Sequence, residues 1–260
     1  MRILLSNDDG LFGRGLEPLI YELKKIGDVF VVVPDTEKSA SSHSITLHSP
    51  IRLVEKRKNV YTVTGTPSDC VRFGVIGIMK NRVDMIVSGV NDGPNLGDDC
   101  IYSGTVAAAR EGAMLGIPAI AVSLVPPGRG NFKLASEYAA KIVVTAKKIR
   151  MPKYSFLNVN IPDTDGIEGI ELTKMGKRIY DEDIEERTDP RGYKYYWIAG
   201  ERLSGHPDPG TDIKAISMSR ISVTPLKVDQ TDFSFLNDLK KNKIEKMIAG
   251  SRKQTVGSSK

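Results

Sequence analysis

Near the start of the chain, "SNDDGLFGRG" sets two carboxylates, Asp8 and Asp9, side by side between an apolar run and a glycine-rich turn. Two carboxylates about 4 Å apart repel by roughly 4 kcal/mol at an effective dielectric near 20. Such a pair either takes up a proton or holds a cation between its members. Taken alone, the same residues read first as turn and cap chemistry, because Asn, Asp and Gly all suit turn geometries. Ser39 and Asn91 add neutral oxygens, and together with the carboxylates they suit a hard cation, Mg²⁺ or Mn²⁺, with water filling the remaining positions. Singly, Ser39 is a loop hydroxyl and Asn91 a turn residue. Zinc fits poorly, since there are three histidines and none is spaced as a ligand pair. "YSGT", Tyr102–Thr105, places small hydroxyl residues at a helix start, where free N–H groups and the dipole attract an anion; Ser103 serves there equally as a helix cap. His43 in "SSHS" can donate a proton to a leaving alcohol or simply bond to backbone. A cation beside an anion cradle is the apparatus of phosphoryl chemistry, in which the ion polarises phosphate and lowers the pKa of bound water.

What brings these groups together is the alternation of strands and helices. "RILLS", "VFVVVP", "DMIVSG", "PAIAVSLV" and "SFLNVNIP" are short, β-branched, nearly continuous apolar runs, the pattern of parallel strands buried on both faces. Between them lie helical patterns. Leu16, Leu19, Ile20, Leu23 and Ile26 share a face, Pro18 sits in the first turn and Gly27 closes it. Thr66 caps a helix through Val71–Met79, "SGTVAAAREGAML" is an Ala-rich helix, and a further helix covers about Lys133–Lys148. "ITLHSPIRL" and "VYTVTG" read as an antiparallel pair. The expected fold class is α/β, a mostly parallel sheet with helices on both faces. In such sheets ligands bind outside the carboxyl ends of the strands, which is where Asn7–Asp9, "PDTEKSASSHS", "SGVNDGPNLG" and "YSGT" all fall. Gly13-Arg14-Gly15 is followed by Pro18 where a dinucleotide fingerprint needs glycine, and no Walker A pattern is present.

After Pro162 the pattern changes. Residues 171–200 read as a long hairpin arm around "TDPRG", carrying Tyr193, Tyr195, Tyr196 and Trp197 that an isolated hairpin cannot bury. Packing on a second subunit is the expected remedy. "RISVTPL" is a late strand, and "FSFLNDLKKNKIEKMI" a final amphipathic helix. The expected division is one α/β domain over 1–232, arm included, and a C-terminal helix with a frayed basic tail over 233–260. The formal charge of +5 is concentrated in that tail, where residues 240–260 carry seven Lys/Arg and one Glu. The body is near neutral, so no specific nucleic-acid face is expected; an RNA-associated role would rest on the tail alone. Two cysteines without CxxC spacing, no signal-like h-region and no long apolar run point to a soluble, cytoplasmic protein without membrane association.

Six segments, "SNDDG", "PDTEKSASSHSIT", "GTPSDC", "SGVNDGPNLGDDCIYSGTVAAAREG", "GIPAIAVS" and "LNVNIP", occur in the order found in the SurE family of acid phosphatases that act as 5′-nucleotidases, and the chain resembles that family over about Met1–Leu226. The resemblance implies a Rossmann-like fold and a divalent-metal-dependent phosphomonoesterase acting on nucleoside 5′- and also 3′-monophosphates. It places one metal ion per subunit, Mg²⁺ or Mn²⁺, on Asp8, Asp9, Ser39 and Asn91. It places phosphate near Asn95, Ser103, Gly104 and Thr105. Dimers or tetramers that exchange C-terminal segments are implied as well. Hydrolysis by metal-activated water is the leading expectation, with an aspartyl-phosphate route through Asp8 and a non-catalytic nucleotide or metal sensor as alternatives. "LFGRG" departs from the family's Ala-containing turn, which bears on the pocket rim.

Overall fold

A computed structural model describes residues 1–126, 128–180, 183–199, 202–203 and 205–250. In chain order, β1 (Arg2–Ser6) leads to α1 (Leu16–Lys24), β2 (Asp28–Pro34), the hairpin β3 (Leu53–Arg57) and β4 (Val60–Val63), and α2 (Pro67–Arg72). Then follow β5 (Met85–Asp92), α3 (Gly104–Met114), β6 (Ala119–Val125), α4 (Phe132–Lys148) and β7 (Ser155–Pro162). The later elements are β8 (Ile170–Leu172), β9 (Ile179–Tyr180), β10 (Asp183–Thr188), β11 (Lys194–Ala199), β12 (Arg202–Leu203), α5 (Asp212–Ser217), β13 (Ile221–Lys227), α6 (Phe233–Lys241) and α7 (Ile244–Gly250).

Among the described residues the main sheet has nine strands in the order β3-β4-β2-β1-β5-β6-β7-β13-β8. The run from β4 to β7 is parallel throughout, as the apolar strand sequences require. Successive side chains of β1 serve opposite faces. Ile3 and Leu5 pack with Leu16, Leu19 and Leu23 of α1 and Ala135, Ala139 and Val143 of α4. Leu4 packs on the other face with Val71 of α2 and with Val106 and Ala109 of α3. Burying a leucine in this way is worth roughly 1.5–3 kcal/mol. The small residues of α3 let it lie close to the sheet: a β-carbon at Gly112 would fall 2.7 Å from Ile86 Cδ1 and 3.1 Å from Ala119 Cβ.

This connectivity creates the crevice. The chain leaves β1 for β2 on one side, and β5 docks on the other side of β1, with Ser6 level with Ser88. The carboxyl ends of β1 and β5 therefore meet where the winding direction reverses, the place at which open α/β sheets leave room for a ligand.

Three local expectations are corrected. The Thr66-capped segment is α-helical only over α2 and continues as a π-helical turn over Phe73–Ile78, where a β-carbon on Gly74 would meet Leu4 Cδ1 at 2.5 Å. "ITLHSPIRL" is extended in the sheet only from Leu53, because Thr46 gives its N–H and hydroxyl to Asp69 and Pro50 has no N–H to give. The single final helix is two, α6 and α7, separated at Lys243 with φ 52°.

The hairpin arm is shorter than expected: β10 pairs antiparallel with β11 around the expected turn, while Glu171 and Leu172 belong to β8, which pairs parallel with β13 in the main sheet. Two compact units result, Met1–Val228 and Asp229–Lys260. The basic tail lies from residue 251 onward outside the described residues. Among the described residues no helix is long and apolar enough to cross a membrane.

Candidate active site at the end of the first strand

The turn that carries the two aspartates is built by the residue before them. Asn7, buried, accepts from the Gly10 N–H at 3.1 Å and donates its amide to the Gly10 carbonyl at 2.9 Å. Gly10 takes φ +79°, a conformation other residues rarely adopt. The chain thus reverses tightly and leaves Asp8 and Asp9 at the rim of β1.

Asp8 is 5 % exposed and points at the start of α3, where the Thr105 hydroxyl donates to its Oδ1. Gly104 is pressed against it: a β-carbon there would sit 2.8 Å from Asp8 Cβ and 3.0 Å from the Ser41 hydroxyl. Burial pushes the Asp8 carboxyl up, against the opposing effect of the Thr105 hydroxyl and N–H. Asp9 is pushed up to about 7, by burial first and then by the negative charges of Asp8, Glu37 and Asp92. Its Oδ2 is buried with no hydrogen-bond partner.

The other two expected ligands reach the same rim. The Ser39 loop follows β2 and is tied to the aspartates by the Lys38 N–H, which donates to the Asp8 carbonyl at 2.8 Å. Ser39 itself is exposed and donates to Glu37 at 2.6 Å. Asn91 lies at the end of β5, just past a register shift between Ser88 and Asn91 that re-aims the strand. Its amide nitrogen donates to the Gly93 carbonyl at 2.9 Å, which turns the carbonyl oxygen of the side chain away from that bond.

These residues fit a hard cation. A buried carboxylate oxygen without a partner costs free energy that a cation would recover, and the negative charges of Asp8, Glu37 and Asp92 converge on Asp9 here. Among the described residues no group of three or more His, Cys, Asp or Glu is arranged to hold a metal, so an ion here would draw on neutral oxygens as well, as a hard cation readily does.

The residues expected around phosphate have structural partners. Ser103 caps α3 by accepting from the Val106 N–H at 3.0 Å, and Thr105 holds Asp8. Asn95 is buried; its side chain donates to Ser123 at 2.7 Å, and its backbone is gripped by Asn158 and Asn160. His43 bonds to neither backbone nor rim. Its Nε2 lies 2.8 Å from Glu111 Oε2, about two turns down α3, roughly 10 Å from the helix start.

Sequence reasoning passed over the residues that hold this loop. Glu111, 1 % exposed, receives both His43 and, at 2.7 Å, Arg72 of α2. Asp69 takes Thr46, and Ser42 donates to the Ile101 and Tyr102 carbonyls. A lone acid within the small-residue run "AAAREGA" was the available signal for Glu111. Ser41, whose buried hydroxyl has no partner and faces Gly104, was also missed.

Comparisons with known proteins show the family. The family model described as Survival protein SurE matches residues 3–182. A 5′-nucleotidase SurE of Geobacter sp. strain M21 is 46 % identical over 243 residues, 92 % of this chain and 98 % of that protein. A 5′-nucleotidase SurE of Methylobacillus flagellatus is 45 % identical over 236 residues, 90 % of this chain and 96 % of that protein. The crystal structure of the SurE protein from Aquifex aeolicus superposes with a TM-score of 0.84 at 40 % identity, covering 94 % of this chain and all of that one. A family model matched over residues 3–182, relatives 45–46 % identical over nine-tenths of the chain and the same α/β fold in a solved structure make this chain a member of the SurE family.

Proposed function

We propose that this protein is a phosphomonoesterase that hydrolyses nucleoside monophosphates with the help of one divalent cation, Mg²⁺ or Mn²⁺, per chain. The observation that carries the reading is the buried, unpartnered Asp9 oxygen next to Asp8, itself packed against the start of α3. The relatives aligned over nine-tenths of the chain are named 5′-nucleotidases, which supports nucleotides as the substrate class.

In this reading Asp8, Asp9, Ser39 and Asn91 hold the ion. Bound there, a divalent cation draws charge from phosphate oxygens and makes water a competent nucleophile near neutral pH. The chain's own groups do the rest. Thr105 fixes the rotamer of Asp8, and Gly104 leaves room for Asp8 and Ser41 to approach. The Ser41 hydroxyl, buried and without a partner, is placed to donate to a phosphate oxygen, and Asn95 and Ser103 keep the entry to α3 in position. Donors fixed in advance stabilise developing charge without reorganisation. The burial of Asp8 and the hold of Thr105 on its Oδ1 favour attack by water over attack by Asp8 itself. His43 acts through Glu111 to fix the loop that carries Ser39. Subunits associate through the arm, giving a dimer or tetramer.

The test is phosphate release from a panel of nucleoside 5′- and 3′-monophosphates with Mg²⁺ or Mn²⁺. Turnover lost to chelator, and lowered at least about 100-fold by Asp8→Asn, is the expected result. Full turnover in Asp8→Asn would refute the metal-site assignment, a phosphorylated enzyme trapped on Asp8 would establish the covalent route, and nucleotide binding without release would mark a sensor.

A further inference from the structure

The turn Leu11–Gly15 follows the two aspartates and has no part in the chemistry above. Three of its residues grip the site. A β-carbon at Gly13 would lie 2.7 Å from Asp9 Cβ. Arg14 donates to Asp92, the neighbour of Asn91, at 3.0 Å and stacks over the Phe132 ring at 5.0 Å. Gly15 passes so close to β5 that a β-carbon there would meet the Val90 carbonyl oxygen at 2.1 Å. The turn is therefore clamped over the metal end of the crevice from both sides.

Between these anchored residues, Phe12 projects with 94 % of its surface exposed. A phenyl ring left in water at the tip of an anchored turn is not explained by packing within this chain. Beside it opens a surface pocket of about 520 Å³, lined by Phe12, Gly13, Arg14, Glu17, Lys56 and Arg57. Gly13 is common to that pocket and to the Asp9 contact, so the pocket opens beside the carboxylate pair and runs toward the β3–β4 hairpin. Glu17 pairs with Arg57 across it, which ties α1 to β3 and keeps the two walls in place.

We infer that this pocket receives the base of a nucleoside monophosphate, with Phe12 as the stacking platform. The inference rests on the nucleotidase reading and adds to it the residue that distinguishes a nucleotide from a bare sugar phosphate. An aromatic ring presents a face to any base, so the preference it confers is for a base over none; the polar rim of Arg14, Glu17, Lys56 and Arg57 is where selection among bases would arise.

The experiment compares a nucleoside 5′-monophosphate with ribose 5-phosphate, which differ only in the base, for the wild-type protein and Phe12→Ala with Mn²⁺ present. Expected is a KM for the nucleotide raised on the order of 10-fold in Phe12→Ala, kcat within about twofold, and an unchanged KM for ribose 5-phosphate. Phe12→Trp should restore the nucleotide KM. Equal losses on both substrates, no change on either, or a wild-type protein indifferent to the base would each overturn the base subsite while leaving the phosphatase intact. Dissociation of an oligomer by Phe12→Ala, seen by sedimentation, would overturn it too, by assigning Phe12 to an interface. If the wild-type protein releases phosphate from neither compound, the nucleotidase reading itself falls, and the subsite with it.

Discussion

The crevice and the hairpin arm are held together by opposite means. Around Asp8 and Asp9, contacts join residues far apart in sequence: Thr105 to Asp8, Lys38 to the Asp8 carbonyl, His43 and Arg72 to Glu111, Thr46 to Asp69. Nearly all of these groups are partly or wholly out of water, where breaking one partner strands the other. In the arm, β10 and β11 have their ladder and the exposed pairs Arg187–Glu185 and Lys194–Glu186, which water screens. Its aromatics face outward, with Trp197 and Tyr196 exposed and Ile198 96 % exposed. A two-stranded ribbon of this kind is marginal by itself. The crevice is over-determined by the chain, whereas the arm leaves its apolar side chains exposed, and substitutions should affect them differently.

The largest effect is expected where packing meets chemistry. Gly104→Val would drive a side chain into Asp8 and Ser41, and phosphate release should fall at least about 100-fold while the circular dichroism spectrum stays native. Retained activity would mean that the start of α3 does not hold Asp8. Next comes Glu111→Gln, which leaves His43 and Arg72 with a weaker partner and loosens the Ser39 loop. We expect a loss of about 10-fold in apparent metal affinity with a smaller change in kcat. A fall in kcat alone would instead point to proton transfer by His43.

The pH dependence of stability gives a smaller, signed effect. The Asp9 carboxyl sits at about 7 in the folded chain against an ordinary value of 3.8. Between those values the folded state holds a proton that the unfolded state lacks, so metal-free stability should fall as pH rises from about 4 to 7. Asp8, raised in the same sense, adds to this slope. Thermal melts with chelator should show the decline, Asp9→Asn should flatten it, and excess Mn²⁺ should offset it increasingly as pH rises toward 7. The smallest effect on the fold is expected in the arm: Trp197→Ser with Ile198→Ser should leave the melting temperature of dilute protein nearly unchanged and shift sedimentation toward smaller species. Unchanged assembly would remove the arm from the interface.

The fold was legible because buried parallel strands are written as continuous β-branched runs, and Thr66 and Ser103 cap their helices as hydroxyls at those positions do. The expected ligands could be grouped from sequence because Asp8 and Asp9 follow β1, Ser39 lies in the loop after β2 and Asn91 is one of the last residues of β5. What was not legible depends on distant partners. His43 turns to Glu111, sixty-eight residues away, and Thr46 leaves the sheet for Asp69. The π-helical turn at Phe73–Ile78 lies where Gly74 packs against Leu4, a tertiary contact with no local signal. At Lys243 the backbone leaves the helix although the apolar spacing continues.

The central claim is that Asp8 and Asp9 form a carboxylate pair awaiting a cation. It is tested most directly by calorimetric titration of chelator-treated protein with Mn²⁺ at pH 6.5, in two buffers of different ionisation enthalpy. The account predicts one ion per chain, with uptake displacing about half a proton or more from the pair, and loss of both signals in Asp9→Asn. Binding that is unchanged in Asp9→Asn, or that releases no proton, would contradict it.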